Sequence, residues 1–154
     1  MQTKEQLIGE IRYAIRLTQR TARFYRHIQT IGTFLTVVGG SAALAAFAGN
    51  LLPWVLIAGA SIFAVFGAAS IAIRPADKAA MNESDVKRYQ SLLIKAQTME
   101  VAQLRTAIEE ARLGDAPEIE TLRSVAYNDV MEEINRQDQS IPLSKQALFL
   151  RVFA

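Results

Sequence analysis

The side chains that could do chemistry are few. There is no Cys, which excludes thiol catalysis, disulfide frameworks and Cys-ligated zinc or iron–sulfur centres. One histidine, His27, is too few for a His-rich metal site or a Ser–His–Asp triad. Paired carboxylates occur at Glu109-Glu110 and Glu132-Glu133, but no Glu-x-x-His pattern accompanies them, so they read as solvated helix faces. Tyr89 and Tyr127 read as packing residues, and His27 as a polar residue at the edge of an apolar run. No catalytic constellation, metal site or cofactor motif emerges, and the expectation is a protein that is not an enzyme.

The strongest local pattern is basic. Arg12, Arg16, Arg20, Arg23 and Arg26 recur at helical spacing and fall within an arc of roughly 120° at about 100° per residue. Such a stripe suits phosphates of a lipid leaflet, each contact contributing about 1 kcal/mol. It would also suit an anionic ligand such as a nucleotide, but no glycine-rich phosphate loop accompanies it. The near-neutral total, 17 basic against 15 acidic residues, does not suggest nucleic-acid coating.

The elements that must position these residues follow from where charge is missing. From Ile28 to Ile73 no residue is Asp, Glu, Lys, Arg or His. A membrane-spanning helix needs about 20 mainly apolar residues, and this window holds two. Gly49-Asn50-Leu51-Leu52-Pro53 breaks it with turn residues, and Pro53 suits the first turn of a new helix. The predicted spans are 28–48 and 53–73, with Trp54 as an interfacial anchor. Neither has a polar stripe to face water, which argues against a soluble hairpin. The 27 residues before the first span are polar and lack a signal-peptidase site, so the span is expected to remain as an anchor. Basic residues flank both spans, including Arg74 after the second, and the turn has none. Both termini are therefore expected on the cytoplasmic side of a cell membrane.

Small residues recur every fourth position: Gly32, Thr36 and Gly40 in the first span, and Ala60, Ala64, Ala68 and Ala72 in the second. Such rows let helix backbones approach closely in lipid, either within one hairpin or between hairpins; a homo-oligomer is the expectation. A pore through such an assembly would be lined by Ser41, Ser61 and Ser70 with exposed backbone at glycines, because no charged ring is available.

The flanks read as cytoplasmic helices, giving an all-α membrane protein. Residues 1–27 form an amphipathic helix running unbroken into the first span. Beyond Arg74, the segment Asn82-Glu83-Ser84-Asp85 offers helix caps. A helix carrying Tyr89, Leu92, Leu93, Ala96, Met99, Leu104, Ile108 and Ala111 is predicted to run from there to about Leu113, stopped by Gly114 and packed along the N-terminal helix. Asp115 caps a third predicted helix, with Pro117 in its first turn and Glu118 completing the box. Pro142 precedes a short apolar tail that would meet either the membrane interface or neighbouring helices.

The cytoplasmic helix, two-span hairpin and cytoplasmic helix layout resembles that of mitochondrial calcium-uniporter pore subunits. Their acidic turn motif is replaced here by Gly49-Asn50-Leu51-Leu52-Pro53-Trp54, which disfavours calcium conduction. A closer resemblance is to the SLATT group of bacterial two-span proteins. It is carried by Arg20-Thr-Ala-Arg-Phe-Tyr-Arg26, by Gly39-Gly40 and by Ala126-Tyr127-Asn128, and it covers most of the chain. The resemblance implies a bacterial inner-membrane effector that forms pores in antiphage defence after a nucleotide-type signal; this chain shows only the membrane part. The competing reading is a non-conducting scaffold whose cytoplasmic helices recruit a partner protein.

Overall fold

The computed structural model describes residues 2–49 and 52–154, which are mostly helical, joined by turns and short irregular segments, with no strand among the described residues. Six α-helices follow one another: α1 Lys4–Phe47, α2 Pro53–Ile73, α3 Pro75–Ala96, α4 Val101–Leu113, α5 Arg123–Glu133 and α6 Lys145–Phe153. Contacts divide the chain into two compact units, 25–77 and the pair of segments 1–24 with 78–154.

In the second of these units, the start of α1 is fixed by a reciprocal cap. The Thr3 hydroxyl accepts from the Gln6 N–H at 3.3 Å, and the Gln6 side chain accepts from the Thr3 N–H at 2.9 Å. The helix then buries apolar side chains on two sides. Leu7, Ile11 and Ile15 meet Tyr89, Leu92 and Ala96 of α3 and Leu104, Ile108 and Ala111 of α4. Leu17 and Phe24 meet Leu122, Val125 and Ala126 around α5 and Ala147, Leu150 and Ala154 around α6. Only a narrow polar strip is left on α1 in this unit.

Three predicted helix boundaries are corrected. Asn82 and Asp85 do not cap a helix: α3 begins at Pro75, with Asp77 in its first turn, and both residues are buried inside it. Proline at the first helical position and an acidic first turn make the earlier start favourable. The helix also does not run to Leu113. It stops at Ala96, where the Thr98 and Met99 N–H groups both bond the Lys95 carbonyl, and α4 restarts at Val101 with the Gln103 side chain accepting from the Glu100 N–H. The break lets α4 fold back onto the α1–α3 core. Asp115 does not start a helix either, because its carboxylate is taken by Arg88 at 2.6 Å and by the Tyr89 hydroxyl at 2.7 Å. The next full helix waits until Arg123, after a single 3-10 turn at Glu120–Leu122.

The segment after α5 is pinned by Asn128, whose amide both donates to and accepts from the Ile141 backbone at 2.8 Å. Ser144 then caps α6 by accepting from the Ala147 N–H at 3.1 Å.

Unit 25–77 is a helical hairpin of the apolar part of α1 with α2. The α2 bounds coincide with the predicted second span, and α1 ends one residue short of the first. Asn50 and Leu51, in the middle of the predicted turn, lie outside the described residues. Arg74 ends α2 in the left-handed conformation, φ 51°, with its N–H on the Ser70 carbonyl. Both helices are long and apolar enough to cross a membrane.

Candidate functional site

Two features of the structure correspond to the residues singled out in the sequence: the surface of the hairpin and an arginine–carboxylate seam on the α1 polar strip.

The hairpin closes on glycine. A Cβ added to Gly39 would lie 2.8 Å from the Gly59 carbonyl oxygen, and one on Gly59 would lie 2.8 Å from the Ala43 nitrogen. Backbone therefore meets backbone at this crossing, which is what small residues permit between spans. Gly40 faces the Phe63 ring and Gly32 faces the Ser70 hydroxyl, so this part of the α1 row serves the hairpin itself. Thr36 returns its hydroxyl to the Gly32 carbonyl at 2.8 Å, satisfying it locally. Gly39 and Gly59 were not among the predicted packing rows, which followed strict four-residue spacing; a helix crossing uses three- and four-residue steps together.

The second row behaves differently. Ala60, Ala64, Ala68 and Ala72 are all exposed on α2. At about 100° per residue they share one side of the helix with Ser61, away from Gly59, Phe63 and Ser70. Ser41 is likewise exposed, on the side of α1 opposite Gly39. The three candidate pore-lining serines thus separate: Ser41 and Ser61 face outward, and Ser70 faces into the hairpin. Large apolar side chains cover the rest of the outside, with Leu44, Phe47, Ile57 and Ile71 between 70 and 81% exposed and Trp54 at 65%.

The basic stripe meets acid. The Arg20 guanidinium donates twice to the Asp129 carboxylate, at 2.8 and 3.0 Å, and this pair is largely buried. Arg16 donates to Glu133 at 2.8 and 3.1 Å, and Arg12 reaches the same carboxylate at 3.3 Å. Rising numbers on α1 match falling numbers on α5, so the helices are antiparallel along the seam. Arg23 is exposed with no ion pair among the described residues, and Arg26 and His27 are also exposed. A cavity of about 310 Å³ on the seam is lined by Arg16, Arg20 and Arg23 against Asp129, Glu132 and Glu133. Three cations facing three carboxylates leave little net field for an anionic ligand. The matching signal was present in the sequence: Asp129 and Glu133 are four apart, as are Arg16 and Arg20. Arg74, the last predicted contact, pairs with Asp77 in solvent.

A second polar cluster was not anticipated. Asp85 accepts from the Ala116 N–H at 2.8 Å and from Arg88 at 2.9 Å, and Arg88 bridges to Asp115. Burial and the hydrogen bond to Asp115 raise the Tyr89 phenol above its ordinary range. Burial, with Glu118 second, does the same to Tyr13. The arrangement holds α3 to the segment that follows α4. No group of three His, Cys, Asp or Glu among the described residues could hold a metal.

Comparison of the chain with family models, curated proteins and solved structures returns no match.

Proposed function

We propose that this chain is an integral membrane protein whose hairpins associate into a homo-oligomer, and that the assembly perturbs or perforates the bilayer in the manner the SLATT resemblance implies. The observation that carries the reading is the outward surface of unit 25–77. Fourteen large apolar residues between Ile31 and Ile73 are exposed there. Burying one such side chain fully contributes about 1.5–3 kcal/mol, so moving these partly covered ones into hydrocarbon gains on the order of 20 kcal/mol. That exceeds the entire stability of an ordinary domain, about 5–15 kcal/mol. Association of copies is supported by the Ala60–Ala72 row, which is not used in closing the hairpin and is free of bulky groups.

The test combines fractionation, mass and leakage. The protein should require detergent for extraction, travel as a multimer, and release dye from liposomes. Recovery in the aqueous fraction, or a monomeric detergent complex, rejects the reading. A multimer that releases no dye points to the second one, a non-conducting membrane scaffold. That alternative draws on a groove of about 930 Å³ between α1 and α5, lined by Ile8, Tyr13, Tyr127, Met131 and Ile134.

A further inference from the structure

Helix α6 is apolar on both sides. Ala147, Leu150 and Ala154 pack into the core with Leu17, whereas Leu148, Phe149 and Val152 are 51, 65 and 79% exposed. The exposed three fall within an arc of about 100°, opposite the packed ones. The Phe149 and Phe153 rings lie 4.9 Å apart, extending the patch. The charges of α6 are both positive, Lys145 and Arg151, and it has no carboxylate.

The end of α6 is held against the part of α1 nearest the apolar stretch. Arg20 donates to the Arg151 carbonyl at 3.3 Å, and Phe24 packs in the same core as Ala154. Phe24 precedes Ile28, the first residue of the charge-free run, by four positions. Four residues of chain span at most about 14 Å even when fully extended. The end of α6 is therefore tethered, through Phe24, by only four residues of chain to the first residue of the apolar run.

We propose that α6 is an interfacial docking helix. Leu148, Phe149 and Val152 enter the headgroup–acyl boundary of the membrane the hairpin spans, while Lys145 and Arg151 contact anionic headgroups. An apolar face with basic residues at its rim is the pattern of helices that lie in the interface, and the charge sign selects an anionic surface. The proposal rests on the membrane reading of unit 25–77.

The absence of native Cys permits single-site labelling. Val152→Cys and, separately, Ile57→Cys on α2 are labelled with an environment-sensitive fluorophore in the full chain and reconstituted into vesicles containing phosphatidylglycerol. Lipids with a nitroxide near the headgroup should quench the label at position 152, and lipids with a nitroxide deep in the acyl chain should quench the label at 57. Replacing Lys145 and Arg151 together by Glu should weaken quenching at 152 and leave that at 57 unchanged. Quenching at 57 without quenching at 152 overturns the α6 proposal alone. A label at 152 that is shielded from lipid but responds to dilution with unlabelled chain overturns it in favour of a second copy. Loss of quenching at both positions removes the membrane reading and this proposal with it.

Discussion

Arg20 and Asp129 form the best-defined ion pair on the molecule, with two parallel hydrogen bonds and little solvent on either partner. Arg20→Ala would leave a partly buried carboxylate without its cation, and a loss of about 1–3 kcal/mol is expected in denaturant unfolding of the detergent-solubilised chain. Arg74→Ala, which removes an exposed pair, should change stability by no more than about 0.5 kcal/mol in the same assay. Tyr89 gives a pH signature. Below its ordinary value near 10 the phenol is neutral in both the folded and unfolded chain, and its bond to Asp115 contributes in full. Above that pH the unfolded chain releases the proton while the folded chain retains it, so stability falls as pH rises. Tyr89→Phe should flatten this alkaline decline when unfolding is followed by circular dichroism between neutral pH and the alkaline range. At this scale the sequence showed which residues were charged but not who partnered whom. The Arg stripe was plain from its period. Its carboxylate partners lie more than a hundred positions away in the chain, and only the antiparallel pairing of α1 and α5 brings them into register.

At the scale of the helices, small residues divide between the closed face of the hairpin and the exposed face of α2. Gly39 and Gly59 close the hairpin, and any side chain there meets backbone at 2.8 Å. Gly39→Val is expected to force the two helices apart, destabilising the chain by about 1–3 kcal/mol as overpacking does and exposing the hairpin to protease in detergent. Ala64→Leu adds bulk on an exposed face, so the hairpin should keep its helicity while the mass of the detergent complex drops. An unchanged mass for Ala64→Leu would remove the row from the oligomer interface. The two apolar helices were legible because charge exclusion over 46 residues is a simple signal, and Pro53 marks the restart of the chain as helix. The α3–α4 break was not legible. Nothing between Ala96 and Val101 is a strong helix breaker, and the turn is set by the gain from burying Leu104, Ile108 and Ala111 against Leu7 and Ile11. Asp115 misled for a related reason: a good cap in isolation, it is held more strongly by Arg88 and Tyr89.

For the whole molecule, the charge asymmetry carries the account. Residues 1–27 hold six basic and two acidic groups, residues 28–73 none, and residues 74–154 eleven basic and thirteen acidic. Part of that asymmetry is consumed internally, since Arg12, Arg16 and Arg20 of the first segment answer Asp129 and Glu133 of the last. Arg23 and Arg26 before the apolar run and Arg74 after it border the hairpin, and in the proposed membrane placement that pattern favours both ends of the chain on one side. The central claim, a hairpin crossing the membrane twice, is tested most directly by single-cysteine accessibility in sealed cells. Ala48→Cys and Leu52→Cys should react with a membrane-impermeant maleimide added outside, while Lys4→Cys and Leu113→Cys should react only after the membrane is opened. Reaction of all four positions from outside, or protection of all four until the membrane is opened, would contradict the account.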